Sequence, residues 1–473
     1  MTHVLFLVLD FFNALVLVYF VALNGVYLTT SLLAFVALRR YARRLKTLDV
    51  DDLLSSGAAL PITLIAPAYN EEATCVESVK SLLALHYPEH EIIVVNDGSK
   101  DQTLARLTEA YDLVPTSRMR TSEITSKPIR GIYRSLRHDN LFVIDKENGG
   151  KADTLNAGLA HARTPLFCAM DADSLLEPDA LLRVVRPFLE DARTVAVGGI
   201  IRIVNGCTVD NGVVTRVALP GNWLARFQVL EYLRAFLSGR MGWDAIDSTL
   251  IISGAFGLFR RSAVVAAGGF ATDTVGEDME LVVRLHRHCR ENNIPYRVTF
   301  VPDPVAWTEC PESLRVLGRQ RDRWQRGLAE VLTRHRKMLF NPKYGRIGLL
   351  AYPYFYFLEM LGPIIEMAGY VTFVVAVILG RASGPYILAF LLVAFVLGLA
   401  LSFAAVALEE LSFRRYPGRK ALAALFGLAF AETFGYRQLS TIWRFRGLVS
   451  LARGQKGWGT MTRRGFGGAT PTR

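Results

Sequence analysis

The chain has 473 residues, 51% of them apolar, a mean hydropathy of +0.26 and a formal net charge of +11. The apolar residues are concentrated at the two ends, which excludes a wholly soluble globular protein and indicates membrane segments around a polar middle. The basic excess stands beside those apolar ends (Arg39, Arg40, Arg43, Arg44, Lys46; Arg414, Arg415, Arg419, Lys420), where topology and anionic headgroups use it, and this placement argues against nucleic acid as a partner.

Residues Val4 to Leu38 form an almost unbroken apolar run ending in Leu-Arg-Arg-Tyr-Ala-Arg-Arg-Leu-Lys. It is too long for a cleavable signal and lacks a basic start, so it predicts one spanning helix, about Phe11 to Leu38 within residues 1–40, with its basic side cytoplasmic. A polar link, Thr47 to Gly57, leads into a soluble segment, residues 58–340. There a strand at Ile62–Ala66, a loop over Pro67–Glu72, a helix and a second strand at Glu91–Val95 predict a parallel α/β sheet. Asp112–Asp139 is basic and irregular and predicts no element. Five cysteines without ligand spacing (Cys75, Cys168, Cys207, Cys289, Cys310) read as reduced thiols of a cytosolic domain.

Beyond Leu349, within residues 347–440, apolar stretches lie at about Ala351–Gly380, Pro385–Leu408 and Ala421–Tyr436. The link Glu409–Lys420 is net basic, hence cytoplasmic. Three full crossings would put the basic, aromatic tail (residues 441–473) outside, so the third stretch, short and interrupted by Glu432, is expected to be interfacial or re-entrant. Glu359 and Glu366 are seven apart, on one helical face, in a run broken by Pro353 and Pro363. Ionisable groups at that depth are expected to face protein or a wet cavity, or to anchor the soluble part; a headgroup-level surface helix is the other reading.

Several stretches carry candidate chemistry. Pro165–Met170 is an apolar run of strand length, and Asp171-Ala-Asp173 follows it. Carboxylates one residue apart at a strand end point the same way and suit a divalent cation carrying phosphates, although an N-cap pair reads the same residues structurally. Asp97, in Asn96-Asp-Gly-Ser99, could accept from the N–H of a nucleotide base, or simply make an Asp-Gly turn. In Gly149-Gly150-Lys151 the glycines allow close backbone approach and the lysine offers a point charge to a phosphate. Asp278, in Gly276-Glu277-Asp278, is either a helix cap or a general base toward an attacking hydroxyl. His286 and His288 are two apart, share no helix face and read as surface residues. In Gln320-Arg-Asp-Arg323-Trp324 the indole offers a flat platform and Arg323 a charge for a departing diphosphate; a basic helix lying on anionic lipid is the alternative.

Taken in order, Pro67-Ala-Tyr69-Asn-Glu71-Glu, Asn-Asp97-Gly-Ser, Gly-Gly-Lys151-Ala-Asp, Asp171-Ala-Asp173, Gly-Glu277-Asp278 and Gln320-Arg-Asp-Arg323-Trp324 resemble the membrane-embedded processive members of glycosyltransferase family 2, the cellulose, hyaluronan, chitin and poly-N-acetylglucosamine synthases. Each motif is short; their joint order over roughly residues 58–340 makes the resemblance specific. It implies a GT-A-type (Rossmann-like) α/β domain, cytosolic and flanked by transmembrane helices of a multi-pass protein of the cell (inner) membrane. It implies an inverting hexosyltransferase that extends a β-linked polysaccharide from a UDP-sugar, with UDP-N-acetylglucosamine favoured and UDP-glucose possible, and helps it across the bilayer. Glu359 and Glu366 would then meet the nascent glycan or its channel. Pro67, Tyr69, Glu71, Asp97, Lys151 and Asp171 would hold the donor, and Asp171 and Asp173 would hold Mg²⁺ or Mn²⁺. Asp278 would be the base. Gly254, Ala255, Phe256, Glu277, Gln320, Arg323 and Trp324 would meet the acceptor, a growing glycan or lipid. The implied partners are the bilayer and accessory membrane or export subunits. Two rivals use the same motifs: a transferase adding one sugar to a polyprenyl phosphate or glycolipid, and a transporter or scaffold that binds a nucleotide sugar without turnover.

Overall fold

Continuous apolar runs bounded by turn residues become the centre of a sheet. The computed structural model describes residues 2–45, 59–171, 174–413, 415–416 and 418–455. Its strands are β1 (Ile62–Ala68), β2 (His90–Asn96), β3 (Leu113–Pro115), β4 (Ile129–Ser135), β5 (Leu141–Lys146), β6 (Leu166–Met170), β7 (Ser174–Leu176), β8 (Thr194–Ile203), β9 (Thr208–Asp210), β10 (Val213–Arg216), β11 (Phe256–Arg260) and β12 (Arg297–Thr308). Ten of them form one sheet in the order β3-β4-β5-β2-β1-β6-β11-β8-β12-β7, and β9 and β10 pair separately.

The expected parallel arrangement holds for β5, β2, β1 and β6, but the sheet as a whole is mixed. Strand β11 runs antiparallel between β6 and β8, with Phe256 opposite Met170. It therefore begins at the edge where β6 ends, which sets Gly254 and Ala255 beside Asp171. The basic segment 112–139, which predicted no element, contains β3 and β4; β4 is half exposed near the sheet edge and lacks the apolar alternation of an inner strand. The stretch after Asp173 is first the short strand β7, paired with β12, and only then the helix Ala180–Glu190.

Helices close the sheet. Ile65, Ile93, Ile144, Leu155, Phe167 and Leu281 share one buried core, where Phe167 stacks on Phe259 with ring centroids 5.5 Å apart. The helix Lys151–His161 lies so close to β1 that a Cβ on Gly158 would stand 2.3 Å from Ile65 Cγ2. All five cysteines are free thiols, as expected.

The chain divides into two compact units. The sheet unit holds the described residues of Arg40–Gly221 and Thr249–Cys310. The other unit is helical and holds the described residues up to Arg39, Asn222–Ser248 and those from Pro311 onward. Among the described residues two helices are long and apolar enough to cross a bilayer, Leu9–Arg43 and Gly384–Ser412. A third candidate is the pair Ile347–Met360 and Gly362–Ile378, bent by 43° at a break followed by Pro363, which has no N–H to continue the ladder. The last apolar stretch is the 13-residue helix Arg419–Ala431; at 1.5 Å per residue its length is about 20 Å, short of a bilayer core of about 30 Å.

Within the helical unit, Glu359 and Glu366 fall on either side of that break, yet both reach the helix Tyr436–Ala452. Glu359 accepts from Tyr27 (2.8 Å), Tyr354 (2.6 Å) and Arg444 (2.9 Å), and Glu366 accepts from Thr441 (2.7 Å).

Candidate active site

The carboxyl ends of β2, β5 and β6 and the start of β11 set Asp97, Lys151, Asp171 and Gly254 at one edge of the sheet, where Glu277 and Asp278 join them. At the end of β2, Asn96 pairs in register with Asp145 of β5 and donates to its carboxylate at 2.7 Å. Asp97 is 3% exposed. Its Oδ1 accepts from Lys146 Nζ (2.5 Å) and Gly149 N (2.9 Å), and its Oδ2 from Gly150 N (2.8 Å) and Asn148 Nδ2 (3.1 Å). Four donors fill the capacity of a carboxylate. Asp97 thus ties down the Gly149-Gly150 turn instead of presenting an open acceptor to a base. Gly98 must be glycine here: its φ is +66°, and a Cβ would stand 2.8 Å from Asn148 N.

Lys146 is the residue that sequence reasoning missed. It is fully buried, and its ammonium also meets Asp153 at 2.6 Å. The register that brings it to Asp97 joins positions 49 residues apart; its only sequence signal is a charge closing an apolar strand.

Lys151 opens the helix Lys151–His161, directly after the turn that Asp97 organises. Its ammonium lies 2.5 Å from Asp171 Oδ1 and 3.2 Å from Glu277 Oε1, and donates to the Gly254 carbonyl at 3.1 Å. Burial works against this charge, but the carboxylates of Asp171, Glu277 and Asp278 outweigh it and hold Lys151 well above lysine's ordinary range. Glu277 and Asp278 begin the helix Glu277–Glu291. Glu277 is 4% exposed and turned inward to Lys151; burial pushes its carboxyl up, against the pull of that ammonium. Asp278 accepts from Gly254 N at 2.8 Å through Oδ2 and from Met279 N at 2.7 Å through Oδ1. A Cβ on Gly254 would lie 2.8 Å from Lys151 Nζ and 3.1 Å from Asp278 Oδ2, so the missing side chain is what lets both approach the same backbone unit.

Other expected residues are placed differently. Tyr69 is exposed and Pro67 half-buried in β1, whereas Glu71 is buried and accepts from Thr74 at 2.6 Å. Ala255 is buried and Phe256 is fully enclosed, so Phe256 belongs to the core and leaves Gly254 as the part of this stretch at the site. His286 is a correction: it is 2% exposed, with Nδ1 at 2.9 Å from the Tyr296 hydroxyl and Nε2 at 2.8 Å from the Thr249 carbonyl. Gln320, Arg323 and Trp324 lie in the other unit, on the helix Leu314–Arg334. There Gln320 is buried and accepts from Arg321, whose guanidinium stacks 4.3 Å from the exposed Trp324 ring. That helix packs closely on Tyr436–Ala452: Gly318 faces the Trp443 ring, and Gly447 faces the Asp322 carbonyl.

A divalent cation that carries a diphosphate commonly takes one or two carboxylates and completes its shell with phosphate oxygens and water. Asp171 fits that need, with a hard-oxygen side chain 32% exposed at a strand end. Among the described residues no three His, Cys, Asp or Glu side chains gather as a closed metal cage. Asp173, the other expected ligand, lies outside the described residues.

The family model for glycosyl transferase family 2 matches residues 63–265, and that for glycosyl transferase family group 2 matches residues 166–405, just over half of the chain. This chain is a family 2 glycosyltransferase. The transferase is 30% identical over 273 residues to the poly-beta-1,6-N-acetyl-D-glucosamine synthase of Staphylococcus aureus strain COL, a match over 58% of this chain and 56% of that protein. It is 29% identical over 318 residues to the probable glycosyltransferase YdaM of Bacillus subtilis strain 168, over 66% of each. The chain therefore spans little more than half the length of the staphylococcal relative. Among solved structures, the mannosyltransferase PcManGT of Pyrobaculum calidifontis, in complex with GDP-Man and Mn²⁺, aligns with a TM-score of 0.48 at 19% identity, covering 93% of this chain and 100% of its own. The S. aureus TarS fragment 1–349 in complex with UDP-GlcNAc aligns with a TM-score of 0.37 at 15% identity, over 84% of this chain and 93% of its own. The apolar helices of the transferase point to membrane association.

Proposed function

We propose that this glycosyltransferase extends a β-linked polysaccharide from a UDP-sugar, with UDP-N-acetylglucosamine as the preferred donor and UDP-glucose as the nearest competitor. The observation that carries the reading is the line of contacts from Asp171 through Lys151 and Gly254 to Asp278, in a chain 30% identical to a poly-N-acetylglucosamine synthase. In this reading Lys151 offers its ammonium to the donor's diphosphate, Tyr69 lies along the nucleotide, and Asp97 acts through the Gly149-Gly150 turn that it holds. Asp171, with Asp173, would hold Mg²⁺ or Mn²⁺. When bound, that cation supplies Lewis-acid charge to the leaving diphosphate.

Asp278 is the proposed base. Two backbone N–H groups fix its carboxylate, so its remaining lone pairs keep one direction. The acceptor hydroxyl oxygen bonds to the sugar's anomeric carbon as the bond from that carbon to the diphosphate breaks. The hydroxyl proton passes to Asp278, and UDP leaves with the bonding electrons. Attack from the face opposite the leaving group inverts an α-linked donor to a β-glycoside. Glu277, turned toward Lys151, is proposed to position that lysine rather than to touch the acceptor. Trp324 and Arg323 would serve the acceptor end and the departing diphosphate. The reading makes this a multi-pass inner-membrane protein with a cytoplasmic catalytic domain, helping its product across, with accessory export subunits as candidate partners; the candidate spans support its membrane association.

The test is UDP release by detergent-purified protein given Mg²⁺ or Mn²⁺ and each common UDP-sugar in turn, with the product sized on a gel. Turnover with UDP-N-acetylglucosamine and a high-molecular-weight product is expected. Short or lipid-linked product alone would replace this reading with single addition, and no turnover with any donor would favour a binding-only module.

A further inference from the structure

Two carboxylates contact one ammonium, and they are not equivalent. Glu277 has a side chain 5% exposed, and with the Gly254 carbonyl it forms the inner side of the Lys151 pocket. Asp171 makes the closest contact, 2.5 Å, yet its side chain is 32% exposed. Lys151 thus has a permanent inner partner and an outer one open to exchange. The outer partner is also the described carboxylate best suited to a divalent cation. A cation arriving alone would meet an oxygen already engaged by the ammonium, a like charge one hydrogen bond away. A diphosphate arriving with the cation changes the balance. It gives the ammonium new oxygens while Glu277 and Gly254 still hold it, and it leaves Asp171 to the metal.

We propose that Lys151 is a resident counter-cation that keeps Asp171 closed to a divalent cation until a nucleotide diphosphate draws its ammonium away. Metal and nucleotide then load as a coupled pair, and free metal ion does not occupy the empty site. This rests on reading the cluster as the donor site of a metal-using transferase.

The probe is Mn²⁺ alone, counted as free ion by electron paramagnetic resonance, with full-length protein in detergent, before and after UDP. In the wild type, UDP is expected to tighten Mn²⁺ binding at least tenfold. Lys151→Met should bind Mn²⁺ without UDP at least tenfold more tightly than the wild type, and UDP should then add less. Gly254→Ala keeps the lysine charge but places a methyl 2.8 Å from its nitrogen; it should shift Mn²⁺ binding the same way, and it serves if Lys151→Met does not fold. If both variants bind Mn²⁺ alone no more tightly than the wild type, while the wild type still binds Mn²⁺ and UDP together, the proposal is overturned and the donor-site reading stands. If the wild type binds no UDP with Mn²⁺ present, the donor-site reading falls, and the proposal falls with it.

Discussion

Lys151 and Asp278 are joined through the backbone of one glycine. The ammonium of Lys151 donates to the Gly254 carbonyl at 3.1 Å, and Asp278 accepts the Gly254 N–H at 2.8 Å. The proposed donor-binding charge and the proposed base therefore hold their spacing through a residue with no side chain of its own.

Gly254→Ala should reduce turnover about 10²-fold, the scale that a displacement of about 1 Å costs at a reacting centre. The added methyl would lie 2.8 Å from Lys151 Nζ and 3.1 Å from Asp278 Oδ2, so one of them must shift. The rest of the fold is untouched, and the melting temperature should barely move. UDP release beside a melting curve checks this; near-normal turnover would show that the spacing is immaterial.

Lys146→Met should destabilise the sheet unit by about 3–5 kcal/mol, because it leaves Asp97 and Asp153 buried without their shared counter-charge. The Gly149-Gly150 turn depends on Asp97, so UDP affinity should fall as well. Denaturant titration and calorimetry of UDP binding measure the two effects.

Burial pushes His286 down to about 4, so its imidazole stays neutral in the folded protein. An unfolded histidine titrates near 6.5. Between those values the unfolded chain binds a proton that the folded chain refuses, so stability falls as pH drops through this window, by at most about 3 kcal/mol, and the loss ends below the folded value. Melting temperature from pH about 7.5 to about 5 should therefore decline. His286→Gln should flatten that share of the slope.

In the helical unit, Arg444→Met leaves Glu359 with two tyrosine hydroxyls and no opposing charge. A loss of about 1–3 kcal/mol is expected for one half of a part-buried pair, with much of it recovered when Glu359→Gln is added. Melting in detergent of the two single variants and the double variant tests the coupling; additive losses would mean that the pair is not a unit.

Residues in continuous apolar runs were legible in the sequence. β1, β2 and β6 appear where Ile62–Ala66, Glu91–Val95 and Pro165–Met170 predict them, because strands buried on both faces need little but apolar side chains and a turn at each end. Strand β4 was not legible, since only Ser135 of its seven residues is buried and its pairing with β5 supplies what its pattern lacks. Asp97, Lys151, Asp171 and Asp278 each stand out in sequence as a charge beside a strand end or helix start. Their partnerships do not. Asp97 takes Lys146 and Asp171 takes Lys151 only through strand order and register. His286 reads as exposed because its spacing to His288 gives it no partner on its own helix, and only the packing of Tyr296 and the Thr249 carbonyl around it shows otherwise. The short last apolar helix follows from length alone, as its 13 residues indicate.

The most direct measurement is Asp278→Asn, assayed in parallel for UDP binding by calorimetry and for UDP release from UDP-N-acetylglucosamine. Asn keeps the size of the side chain and an oxygen that can still accept the Gly254 N–H, but it cannot take the acceptor's proton. Catalysis through Asp278 predicts turnover reduced by at least about 10²-fold, the lower end for a general base, with UDP affinity close to that of the wild type. Equal loss of binding and turnover, or turnover left intact, would contradict it.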